Sequence, residues 1–170
     1  MATLTPRFLL RKPAAGDNVN VTTDIANTMD TIDLAMPRLL SRTTYTGANN
    51  QLHGPAEVRV TGLVTPALTL PANRRLRMEC KALLVNNDVS NYRRFLGHVR
   101  INNGAIDRWV DVTLNGNESR LCSSFVYYEP AAGVHTFDAT ISENGGTTAV
   151  AINTGVIAQF LVWDIGSTLL

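Results

Sequence analysis

Two stretches near the carboxyl end, one alternating in polarity residue by residue and the other apolar on both faces, restrict the chain to strands there. Between Val134 and Ile141, His135, Phe137, Ala139 and Ile141 fall on one side, with Val134, Thr136, Asp138 and Thr140 on the other. A repeat of two marks a half-buried strand, because successive side chains leave a strand on opposite faces. The last strand, Val156 to Ile165, is apolar on both sides. Val156, Ala158, Phe160 and Val162 make one row, and Ile157, Leu161, Trp163 and Ile165 the other. One row fills a sheet core; the second then needs a neighbouring element or subunit. Ile157, Leu161, Trp163 and Ile165 are therefore the expected oligomer interface.

The same reading extends back to residue 46. Strands are expected over Glu57 to Leu63, Ala67 to Leu70, Arg74 to Val85, Tyr92 to Ile101, Ile106 to Leu114, Arg120 to Tyr128, Val134 to Ile141, and Thr148 to Ile152 leading into Val156 to Ile165. Turn signals at Asn86-Asn87-Asp88, Asn102-Asn103-Gly104, Asn115-Gly116-Asn117 and Asn144-Gly145-Gly146 separate them, since Asn and Gly tolerate a positive φ. Many short strands without an interior helix point to an all-β, jelly-roll-like antiparallel sandwich spanning 46–170.

Residues 1–45 read differently, as an extended amino-terminal arm with one short helix. Pro6, Pro13 and the turn-like AAGDNVN interrupt any steady period up to residue 22. From Thr23 to about Leu40, Ile25, Met29, Ile32 and Met36 recur at helical spacing, Thr22 or Thr23 can cap, and Asp24 suits the first turn. About three turns of helix are marginal alone in water, so this stripe must dock on the body, on sister helices or on another protein. The polar TTYTGANNQLHGP that follows reads as a hinge.

Charge and chemistry narrow the function. Formal net charge is +1, with charged residues at 17% against about 25% in a typical soluble domain. Neither nucleic acid nor an anionic membrane is an expected partner, and part of the surface is expected to be covered. Leu4 to Leu10 is broken by Pro6 and Arg7, so no secretory leader is expected, and no run reaches a membrane span. Cys80 falls on the apolar row Leu76, Met78, Cys80, Ala82, Leu84 and is expected as a buried free thiol, with a bridge to Cys122 as the alternative. His53, His98 and His135 have no metal-ligand spacing, Gly145-Gly146 lacks a phosphate-binding helix, and Ser123-Ser124 lacks a nucleophile elbow. Catalysis, metals and cofactors are thus not expected. Tyr92 and Trp109 are the candidate ligand surface. Trp109 faces away from Val110, Val112 and Leu114 in a regular strand, which suits an exposed or interface aromatic.

Two parts of the chain resemble small structural proteins of tailed bacteriophages. The opening TPRFLLRKPAAGDNVNVTTDIANTMDTID has a TPR-like start, then Pro13, Gly16 and Asp17 as P-x-x-G-D, then a short helix with Asp24 and Asp33. The ending AQFLVWDIG is similar to their closing strand, here Leu161, Val162, Asp164, Ile165 and Gly166. The resemblance implies a jelly roll similar to the tumour-necrosis-factor and C1q type, often trimeric. It also implies a non-enzymatic capsid decoration or head fibre protein on the virion exterior. Pro13, Gly16, Asp17, Asp24, Ile25, Met29, Ile32 and Met36 would then anchor it to the major capsid protein or another virion protein. A tail-associated receptor- or glycan-binding module, with weak glycan contact, and a tail or baseplate component are the alternatives.

Overall fold

The structure, a computed structural model, describes residues 3–4, 11–12, 36–47, 51–143, 150–152 and 158–167. Every strand pairing among them is antiparallel. A small ladder joins β1 (Thr3–Leu4) to β2 (Arg11–Lys12). The body is built from β3 (Arg38–Thr44), β4 (Gln51–His53), β5 (Val58–Val64), β6 (Leu68–Leu70), β7 (Arg74–Asn86), β8 (Arg93–Ile101) and β9 (Gly104–Leu114). It continues with β10 (Ser119–Tyr128), β11 (Gly133–His135), β12 (Phe137–Glu143), β13 (Val150–Ile152) and β14 (Gln159–Ser167).

The first sheet is organised around β7. β13 and β14 succeed each other along one edge of it, and β10 takes the other edge. β4 and β3 in turn lie beyond β13 and β14. The segments therefore make four rows: β10, β7, β13 with β14, and β4 with β3. The second sheet runs β5-β12-β8-β9, and β6 pairs β11 alongside the β5-β12 ladder. Numbering the rows along the chain, one sheet reads first, eighth, third, sixth and the other second, seventh, fourth, fifth. Long crossovers between two four-row sheets are the jelly-roll arrangement.

Sequence dictates this packing directly in β7, where burial alternates along the whole strand. Leu76, Met78, Cys80, Ala82 and Leu84 point inward and are fully buried, as are Phe95, Val99, Phe137, Ala139 and Ile141 from the facing sheet and Phe160 and Val162 from neighbouring β14. Cys80 is a buried free thiol and Cys122 is a half-buried one, each opposite a different neighbour on the β7-β10 ladder. The asparagine turns also form as expected, with φ positive at Asn102, Asn103 and Asn117; Asn73, before β7, is a further case.

The amino-terminal boundary moves. Residues 38–40, expected as the end of a helix, 41–42 after it, and 43–44, expected as hinge, form β3 and pair with β14 from Asp164↔Arg38 to Gln159↔Thr44. Gln51–His53 of the expected hinge is β4. The body thus begins at Arg38 instead of residue 46. A ladder supplied by distant β14 satisfies the backbone here, and β-branched Thr43 and Thr44 suit it better than a helix. The rest of the expected helix, from Thr23 to residue 35, lies outside the described residues, as do Val156 and Ile157.

Candidate interaction surface

Because the even-numbered residues of β7 fill the core, its odd-numbered ones stand on the outer face, and register then decides their neighbours. Tyr127, Arg77, Trp163 and Leu39 lie side by side across β10, β7, β14 and β3. The next row is Phe125, Glu79, Leu161 and Arg42, and the one after it Ser123, Lys81, Gln159 and Thr44. The result is a sheet face of aromatic and aliphatic side chains interleaved with cations and with Glu79, which lies 3.4 Å from Arg77.

Contacts within the face hold the aromatics in place. Phe125 and Tyr127 meet edge to face with centroids 5.3 Å apart. The Arg77 guanidinium sits 4.6 Å from the Phe125 ring centroid, and that of Arg75 sits 4.9 Å from the Tyr127 ring. Such stacking favours guanidinium groups with part of their hydration removed. Even so, Phe125 remains 48% exposed and Tyr127 46%, with Leu39 and Leu121 comparably open. Leu161, Trp163 and Ile165 are half-buried on the same face, next to the fully buried Phe160 and Val162.

Three of the expected interface residues therefore share one surface, while Ile157 lies outside the described residues. The structure adds Leu39, Phe125, Tyr127, Arg75 and Arg77 to them. Phe125 and Tyr127 share a period-2 row with Leu121 and Ser123, a legible signal, but only the β7 register brings that row beside Trp163. Of the expected anchoring residues, Met36 is exposed just before β3. Pro13, Gly16, Asp17, Asp24, Ile25, Met29 and Ile32 lie outside the described residues.

Trp109 is a correction. It is 3% exposed, and its indole N–H donates to the Thr140 carbonyl at 3.1 Å. The cause is a β-bulge: Gly97 pairs Val110 while His98 pairs Arg108, so Trp109 is an extra residue and both it and Val110 turn inward. Glycine at 97 makes the space, since a Cβ there would stand 2.5 Å from the indole nitrogen. Tyr92, by contrast, is 74% exposed, beside the exposed Val89 in the turn before β8. The Asp88 carboxylate shapes this turn by accepting from the Ser90 and Asn91 amides and from Arg93. Those donors hold its pKa down to about 2.

The remaining ionisable groups tie strands together. Burial pushes the Glu57 carboxyl up, but the Thr140 hydroxyl, His98 and Arg100 outweigh it and hold the group below its usual range. Thr140 bonds to Glu57 instead of to an imidazole, and His98 turns Nδ1 to the same carboxylate at 3.2 Å, so no nucleophile–base relay is set up. Inside the sandwich, burial raises the Glu143 carboxyl, and Arg93 lies 3.3 Å away. Among the described residues no three His, Cys, Asp or Glu side chains converge as metal ligands, and no helix is long and apolar enough to cross a membrane.

No protein-family model and no curated protein matches the chain. Among solved structures, the T13 viral particle of infectious bursal disease virus aligns at 10% identity and a TM-score of 0.41, over 78% of this chain and 36% of that one. The VP2 subviral particle of the same virus aligns at 10% identity and 0.39, over 78% and 38%. The Gx strain structure aligns at 11% identity and 0.39, over 78% and 37%. This chain spans well under half the length of these structures.

Proposed function

We propose that the protein is a non-enzymatic structural component of a virion, a trimeric capsid decoration or head fibre protein. Its jelly roll forms the projecting body. Its amino-terminal residues, with Pro13, Gly16 and Asp17, attach to the major capsid protein or another virion protein. The observation that carries this reading is the outer face of the β10-β7-β14-β3 sheet. Four neighbouring strands expose a continuous apolar and cationic surface that a solitary subunit would leave in water. Closed symmetry covers such a surface, and several arms per assembly bind a repeating shell with an avidity one arm lacks. The terminal motifs similar to phage structural proteins support the virion setting. The mass of the purified protein by light scattering tests the assembly: three chains are expected, falling to one with Phe125→Asp and Trp163→Asp in a folded protein. A single-chain mass at every concentration would sink the reading.

A second reading, a tail-associated receptor- or glycan-binding module, is favoured by Tyr92 and Val89, exposed together on a turn held by Asp88. Tyr92→Ala would then abolish cell or glycan binding while leaving the mass unchanged.

A further inference from the structure

We propose that the face formed by β10, β7, β14 and β3 receives the acidic segment 23–36 of a neighbouring copy, so that copies join head to tail. This rests on the reading of that face as the assembly surface, names what fills it, and leaves Pro13, Gly16 and Asp17 for the virion contact.

Charge sets the argument. Among the described residues, every side-chain carboxylate except that of Asp107 lies within 4.0 Å of an arginine or histidine. The body therefore has almost no acid to offer a partner. On the sheet face, Arg42 and Lys81 have no carboxylate partner among the described residues, whereas Arg75 and Arg77 lie over aromatic rings and pair with Glu129 and Glu79. Pressing two such faces together would bring Arg42 and Lys81 of each copy to a surface that offers them no unpaired carboxylate, which is unfavourable in a partly desolvated contact. A heterologous contact avoids this, and it requires an acidic, apolar surface elsewhere on the chain.

Segment 23–36 has that composition. It contains Asp24, Asp30 and Asp33 and no lysine, arginine or histidine, and Ile25, Met29, Ile32 and Met36 recur at helical spacing. An apolar stripe flanked by carboxylates matches aromatic rows flanked by Arg42 and Lys81. The segment leads directly into β3, in the outermost row of this same sheet, so it departs at the edge of the body. As a helix its residues would span about 21 Å, enough to lie across the four rows of the sheet.

The test uses the full chain. Unlabelled and nitrogen-15-labelled chains are unfolded, mixed and refolded together, then treated with a carbodiimide, which joins lysine to carboxylate without a spacer. Mass spectrometry is expected to find Lys81 linked to Asp24, Asp30 or Asp33 in peptides of mixed isotope. Links confined to one isotope, or none at Lys81, overturn the proposal. A second arm guards against misfolding: Arg42→Glu with Lys81→Glu is expected to reduce the mass from three chains to one. Adding Asp24→Lys, Asp30→Lys and Asp33→Lys to that variant is expected to restore it. A charge-reversed protein that still assembles overturns the segment as occupant and leaves the assembly reading standing. A single-chain mass for the unaltered protein overturns both.

Discussion

Arg74 and Asp164 form a buried ion pair between β7 and β14, with a guanidinium nitrogen 2.7 Å from the carboxylate and both side chains almost fully enclosed. The carboxylate also accepts the Gly166 amide at 3.1 Å, and Gly166 has φ +118, a conformation that favours glycine. The aspartate and glycine of the closing LVWDIG string therefore have a structural role: they fasten the last strand to the centre of its sheet. Removing one partner strands a buried charge, at about 3–5 kcal/mol. Asp164→Ala and Arg74→Ala are each expected to lower the unfolding free energy by that amount, read as a lower denaturant midpoint at unchanged slope. The double variant should lose clearly less than the sum.

Trp109 and Gly97 supply a second check. Trp109→Ala should cost about 3–5 kcal/mol by emptying a large core site. Gly97→Ala should cost about 1–3 kcal/mol by overpacking against the indole. If Trp109 were a surface aromatic, its replacement would leave thermal unfolding unchanged.

Stability should fall in mild acid through His53. Burial, partly offset by the Ile141 backbone, lowers this imidazole from 6.5 to about 4, and the residue is only 3% exposed. Between those values the unfolded chain binds the proton and the folded one does not. Stability is therefore complete above pH 6.5 and declines as pH falls toward 4, by up to about 3 kcal/mol. Glu143, raised by burial, contributes with the opposite sign. Subtracting the pH profile of His53→Gln from that of the unaltered protein isolates the histidine, and a flat difference would refute the assignment.

The two thiols should be distinguishable. Burial raises both, Cys80 far more than Cys122, and only Cys122 is within reach of solvent. An aromatic disulfide reagent is expected to titrate one thiol per folded chain, slowly, and two after unfolding. Two rapid equivalents in the folded protein would contradict the buried position of Cys80.

What the sequence determined by itself follows from local rules. Alternation with a period of two, punctuated by Asn and Gly turns, located β5 to β10 to within a few residues, ran β11 and β12 together as one strand, and identified Leu76, Met78, Cys80, Ala82 and Leu84 as core. A strand's two faces are written in consecutive residues, so these features need no partner to be read. Tertiary structure decided what depends on pairing. β3 and β4 exist because β14 and β13, about a hundred residues or more away in sequence, supply their ladders. Trp109 is buried because a one-residue bulge against β8 reverses its face. The interaction surface likewise appears only once register places Tyr127, Arg77, Trp163 and Leu39 in one row. Each strand announced its own two faces, but which strands became neighbours, and at what offset, was fixed by the sheet as a whole.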